Sequence, residues 1–149
     1  MPRKVSILSY SECLIVTGSI ENSKTSIEKA RWGVNVRLKG TWEKVAKGDL
    51  LLLYVTKPIC GIVGVASVED KAEENNILWR DEAVVGRILY PYRILFKPVF
   101  ILDEDKWETD RIVVKDLNVS VRAGLNSLRN PETVEKLLDR VRKSWGIKV

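Results

Sequence analysis

Histidine is absent from all 149 residues. With it go the commonest general base, the commonest metal ligand and the usual activator of a nucleophilic side chain. Catalysis by carboxylates or lysine stays open, but no acidic pair, Asp49 with Asp70 included, has a spacing that supports it. Cysteine is scarce: Cys13 and Cys60 are the two, each among apolar neighbours. Two thiols without flanking ligands make no structural zinc site, and they read better as buried small apolar residues than as a disulfide. No apolar run approaches the roughly 20 residues of a membrane span. Ser9, Tyr10, Ser11 and Glu12 cut short the apolar run that follows Met1-Pro2-Arg3-Lys4, so no signal peptide is expected and the chain is placed in the cytoplasm. Repeats, low-complexity tracts and Pro/Gly-rich linkers are missing too. One domain is therefore expected over residues 1–149, with 1–11 an extra strand or a loose arm.

What is present is ordinary in amount and uneven in placement. Hydrophobic residues make up 45% and charged ones 30%, as in a globular protein with a real core. The net charge is +5, and residues 1–60 carry 10 Lys/Arg against 5 acids while the remainder balances at 15 of each. The surplus lies mostly between Lys24 and Lys47. Such a patch suits a polyanion such as nucleic acid; it is also what a solvated face looks like.

Short apolar runs at Cys13–Thr17 and Leu50–Val55 read as buried strands, and Ile59–Val68 as a third, with Lys57-Pro58 as the turn of a hairpin. Gly61 and Gly64 inside that run predict a bulge or a barrel corner. Arg93–Leu102 is a long strand with Pro98 marking an edge or a bulge, and Ile112–Val114 is a further strand candidate. Asn22, Ser23 and Thr25 offer N-caps, Thr25 with Glu28 at capping-box spacing, for a short helix to about Arg31 that stops near Gly33. Gly40-Thr41 opens a second short helix, carrying Trp42 and Val45 and closed by Lys47-Gly48-Asp49, and Asp103–Asp110 reads as an acidic loop. In the last helix Asn130 caps, Pro131 takes the first position, Val134, Leu137, Leu138, Val141 and Trp145 share a face, and Gly146 ends it. The fold class is α+β with a curled or closed sheet.

Five tryptophans each need a place. Trp145 and Trp42 read as core, and Trp107 as a cap on the end of the sheet. Trp32 follows Lys29 and Arg31 inside the basic stretch, and Trp79 sits in a polar loop where a core role is less expected. An aromatic ring on a loop near cations is the usual platform for stacking a base; the bland alternative is that both rings fill gaps in the core. In Tyr90-Pro91-Tyr92-Arg93, Tyr92 and Arg93 are expected on opposite faces, one inside and one outside.

In order and spacing, Trp32-Gly33-Val34, Val45-Ala46-Lys47-Gly48-Asp49 running into Leu50–Val55, Gly61-Ile62-Val63-Gly64 and Tyr90-Pro91-Tyr92-Arg93 resemble the EVE domain. EVE domains belong to the PUA-like superfamily and are close in fold to YTH domains; the match spans roughly residues 12 to 145. The resemblance implies a mixed sheet curled into a barrel and a pocket for a single base of RNA or DNA, often a modified one such as a methylated base. It implies that Trp32 matches the first tryptophan of the YTH cage and that Trp79 falls where a second is expected. Asn22 stands ten residues before Trp32, as a base-contacting asparagine does in the YTH pattern, and Thr17 takes the place of a small hydroxyl residue. The chain departs from the pattern at Leu14, where an aromatic is usual, and at Gly18 or Ser19, where an asparagine is usual; Tyr54 is a candidate third aromatic.

The expectation is a non-catalytic reader without cofactor or metal that holds one base between Trp32 and Trp79. Asn22 reads the base edge, Thr17, Gly33, Val34 and Tyr54 complete the pocket, and Arg37, Lys39, Lys44, Lys47 and Arg80 meet phosphates. The Tyr90–Arg93 segment is structural. The rival reading is an interaction module whose pocket is filled by its own side chains.

Overall fold

The computed structural model describes residues 12–149, so the expected strand or arm over 1–11 lies outside the described part. Among these residues six strands form one sheet: β1 (Cys13–Gly18), β2 (Arg31–Val34), β3 (Leu50–Val55), β4 (Gly61–Glu73), β5 (Tyr92–Ile101) and β6 (Leu125–Leu128), in the order β2-β5-β4-β3-β1-β6. β1 and β3 run parallel, and every other pair is antiparallel. Five α-helices pack around the sheet: α1 (Ile20–Lys29), α2 (Lys39–Glu43), α3 (Arg80–Val85), α4 (Trp107–Asp110) and α5 (Pro131–Trp145). The α+β class with a curled sheet is as expected.

β3 is buried along its whole length because both sheet faces are covered, which is why its sequence is a continuous apolar run rather than an alternating one. On one face Ile15, Leu52, Tyr54 and Val65 pack against Val134, Leu137, Leu138 and Val141 of α5. Each such side chain contributes about 1.5–3 kcal/mol when fully buried. Asn130 caps α5, accepting from the Glu132 and Thr133 N–H groups, and Gly146 closes it in the left-handed region. On the other face Leu14, Val16, Leu51, Leu53 and Ala66 pack around Trp32.

The β3–β4 register slips between Leu53 and Tyr54, beside Gly64, as the strand glycines predict. Pro98 lies beside a second slip, between Val65 and Ala66, on the stretch of β5 that β2 does not reach. Proline can occupy such a place because no ladder hydrogen bond is asked of its nitrogen.

Several expectations need correction. α1 starts ten residues before Ala30, not at Asn22 or Thr25: Ser19 is its N-cap and accepts from the Asn22 N–H. Ala30, in the left-handed region, ends it, and residues 31–34 continue as β2, so Gly33 is a strand residue and not a helix stop. α2 covers Lys39–Glu43 and ends before Val45. Ile112–Val114 is no strand; only Ile112 bridges to Ile62. The sixth strand is instead Leu125–Leu128, and the acidic segment 103–110 contains α4. Both cysteines are free, and Cys60 is exposed rather than buried. Trp42 and Trp145 are half-buried, whereas Trp107 is buried in a small cluster with Val55, Ile59, Val63 and Leu102.

Candidate functional site

A cavity of about 690 Å³ opens where the end of β1, the start of α1, β2 and the β4–β5 connection meet. Its lining includes Thr17, Asn22, Ser26, Trp32, Gly33, Trp79 and Tyr90. The volume falls within the roughly 300–1,000 Å³ usual for small-molecule sites.

Two glycines clear the seats of the two tryptophans. A Cβ on Gly18 would lie 3.1 Å from Cζ2 of Trp32, and one on Gly33 would lie 2.7 Å from Cη2 of Trp79 and 2.6 Å from Cβ of Tyr90. α1 approaches closely because it buries Ser23 and Ser26 rather than large apolar residues. Ser26 Oγ accepts from Trp79 Nε1 at 3.0 Å, so the indole nitrogen is satisfied and the ring is fixed in place.

The β4–β5 connection holds Trp79 through a buried ion pair. Glu82 is 0% exposed, and its carboxylate accepts from four backbone N–H groups: Leu78 at 2.9 Å, Trp79 at 3.2 Å, Leu89 at 2.9 Å and Tyr90 at 3.0 Å. Reaching back to the N–H of Trp79, it plays the glutamate part of a capping box for α3. Arg93, also 0% exposed, lies 3.7 Å from Glu82 and donates to Glu74, to the side chain and backbone of Asn76 and to Tyr90 O. Its guanidinium stands 4.9 Å from the centre of the Trp79 ring. Of the Tyr92–Arg93 pair, arginine is thus the inner residue. Glu74 is held below the usual carboxylate range chiefly by its hydrogen bonds to Arg31, with Arg93 adding to the effect.

A polar corner faces the cavity beside these rings. Asp81 Oδ2 accepts from Tyr90 Oη at 2.5 Å and from Asn22 Nδ2 at 3.2 Å, while Oδ1 accepts from the Glu82 N–H. Burial, and then the Asp81 carboxylate, push the Tyr90 phenol up to about 12. Thr17 also lines the cavity, and its Oγ1 is buried without a hydrogen-bond partner among the described residues. Arg37 and Arg122, both exposed, line the cavity and make no ion pair among the described residues.

The structure brings Thr17, Asn22, Trp32, Gly33, Trp79 and Arg37 to one cavity. The tryptophans are inner walls and not open plates: Trp32 is 3% exposed and Trp79 2%. Val34 is buried in the core beside Trp32 and does not line the cavity. Tyr54 is not a cage member, because strand alternation turns it to the opposite sheet face, among the side chains under α5. Of the remaining basic residues, Lys39 lies over the Tyr92 ring, Lys44 lines a separate cavity of about 420 Å³, Lys47 lines neither, and Arg80 pairs with Glu21 at 3.9 Å. Asp81, Glu82, Asn35, Ser26 and Arg122 were not singled out from the sequence. Only Asp81-Glu82, the acidic first turn of α3, carries a local signal.

No protein-family model matches the chain, and no curated protein matches it. Solved structures do. An ASCH domain from Zymomonas mobilis is 15% identical, over 86% of this chain and 94% of that one, with a TM-score of 0.55. The MmI1 YTH domain is 13% identical, over 91% and 98%, at 0.59. A YTH domain from Zygosaccharomyces rouxii, solved in complex with N6-methyladenosine RNA, is 17% identical, over 87% and 85%, at 0.51. At these identities the likeness is one of architecture, and the fold is PUA-like.

Proposed function

We propose that the chain is an RNA-binding module of EVE type that takes a single base, turned out of its strand, into the cavity walled by Trp32 and Trp79. The observation that carries this reading is the coincidence, in one cavity of about 690 Å³, of two fixed indoles, the Asn22–Asp81 corner and two arginines that form no ion pair among the described residues. Apolar indole walls fit the body of a heterocycle, polar groups fit its edge, and Arg37 and Arg122 fit the flanking phosphates. Turning a base out costs a few kcal/mol, least in a strand that is already single. A largely dry wall would also favour an added methyl by about 0.8 kcal/mol per buried carbon, so methylated bases are among the ligands proposed. The YTH neighbour solved with N6-methyladenosine RNA supports the same choice. Among the described residues no side chain fills the cavity, which weighs against a pure interaction module. With no histidine, and with the acid of the site tied into hydrogen bonds, binding without catalysis is proposed.

The test is a titration of single-stranded oligonucleotides, RNA and DNA, with and without base methylation, followed by tryptophan fluorescence. The control variant is Gly124→Leu: a Cβ there meets nothing nearer than 3.9 Å, so the new side chain occupies cavity space without forcing the backbone. Saturable binding by the parent, lost in the variant while circular dichroism is unchanged, is the expected result. Equal, weak binding of heparin and every oligonucleotide by both proteins would sink the proposal. Chemical conversion of the nucleotide would overturn its non-catalytic part.

A further inference from the structure

We infer that Asp81 selects the base, favouring one that carries an exocyclic amino group (adenine, cytosine or guanine) over the carbonyl-edged uracil or thymine. The inference rests on the reading of the cavity as a base site and names the group that would discriminate there.

The polar corner is rich in acceptors. Asp81 lines the cavity and has no cationic partner among the described residues; hydrogen-bond donors alone hold its charge. A carboxylate offers about four acceptor positions. Tyr90, Asn22 and the Glu82 N–H take three of them, which leaves a position for a ligand donor. Tyr90 has spent its only proton on Asp81, so its oxygen can only accept from a ligand. Asn22 has turned its amide nitrogen toward Asp81, which leaves Oδ1 as the free acceptor. A base entering this corner therefore meets lone pairs on three sides. An amino group supplies the hydrogens they need; the carbonyls that flank the single N–H of uracil would instead face the carboxylate. The charge pattern gives the orientation as well. The acid repels phosphate from its own end, while Arg37 and Arg122 attract it elsewhere on the lining.

The experiment measures affinity for short single-stranded oligoribonucleotides that differ in one central base between abasic neighbours. The parent protein should bind adenine, cytosine or guanine roughly 10- to 100-fold more tightly than uracil, the scale of one hydrogen bond to a charged group. It should lose a similar factor when central adenosine is replaced by purine riboside, which lacks only the amino group. Asp81→Asn keeps an oxygen for Tyr90 but introduces donors, so it should compress or reverse the ratio; Lys47→Ala, at a residue that lines neither cavity, should preserve it. The inference is overturned if adenosine and purine riboside bind the parent equally, if uracil is preferred, or if Asp81→Asn weakens every base by one common factor. The comparison made on the ligand needs no variant to fold. Binding of no oligonucleotide by the parent would defeat the base-site reading itself, a different result from binding without discrimination.

Discussion

Replacing Glu82 by glutamine changes one atom's chemistry at constant shape, which makes it a sharp test of how the Trp79 segment is held. In the native chain each carboxylate oxygen serves two backbone N–H groups, Leu78 and Trp79 on one side and Leu89 and Tyr90 on the other. A glutamine can serve one of these pairs with its carbonyl. Its NH2 must then face the other pair, donor against donor, in a site with no solvent access. Two N–H groups left without acceptors in this largely buried site cost about 1–3 kcal/mol each at most. Arg93 also loses a buried countercharge, although Glu74 remains beside it. A total of about 3–5 kcal/mol is expected, the scale for breaking a buried pair. For a chain of this length that is a fall in Tm of roughly 6–20 °C. Urea denaturation at neutral pH measures it directly, and hydrogen exchange should show early loss of protection at whichever pair of amides the NH2 faces. A Glu82→Gln protein within about 0.5 kcal/mol of the parent, the range of an ordinary surface substitution, would refute the argument.

Gly33→Ala should destabilise by about 1–2 kcal/mol, since the clash of its Cβ with Trp79 and Tyr90 costs about 1–3 kcal/mol against an entropic gain of about 0.4–1 kcal/mol. Gly40→Ala, in α2 with nothing within 4 Å, should stabilise instead, and thermal unfolding curves moving the same way for both variants would contradict this. Tyr90 holds its proton more tightly when folded than in the unfolded chain, so its contribution is complete below pH 10 and is lost as the pH rises toward 12. Tyrosinate absorbance should show a step near pH 12 that disappears in Tyr90→Phe; its persistence there would assign the step elsewhere. Arg37→Ala and Arg122→Ala should each reduce the slope of log affinity against log salt by roughly 0.7 for a single strand, with Lys47→Ala as the control that leaves it unchanged. Unaltered slopes in both arginine variants would remove them from the phosphate path.

Legibility from sequence followed the range of the interactions. The stripe of α5, its Asn130-Pro131 start and its Gly146 end are all local, and they were readable; so was β3, whose six apolar residues admit little else. β2 and β6 were not, because four residues each, with arginine and glycine in one and asparagine and serine in the other, display no period. The start of α1 was misplaced because Ser19, Asn22 and Thr25 are all competent caps, and the choice was decided by which backbone remains extended after β1. At the site, Trp32 and Gly33 are adjacent in the chain and form a visible signature. Asp81 meets Asn22 across 59 positions, and Arg122 joins the lining from a loop near the other end of the described chain, so neither left a local trace.

The place of β1 in the sheet bears on when this chain can first act. β1 lies between β3 and β6, with Ile15 opposite Asn126 and the Thr17 N–H bonded to Gly124 O, so part of the cavity lining, Arg122 to Gly124, is supplied by the loop that leads into β6, more than a hundred positions downstream. A polypeptide still emerging from the ribosome can assemble the tryptophan side well before that part exists. It would hold a half-built cleft with an unpaired strand edge, open to a wrong neighbour. Competence should therefore arrive late and all at once, with the docking of Leu125–Leu128.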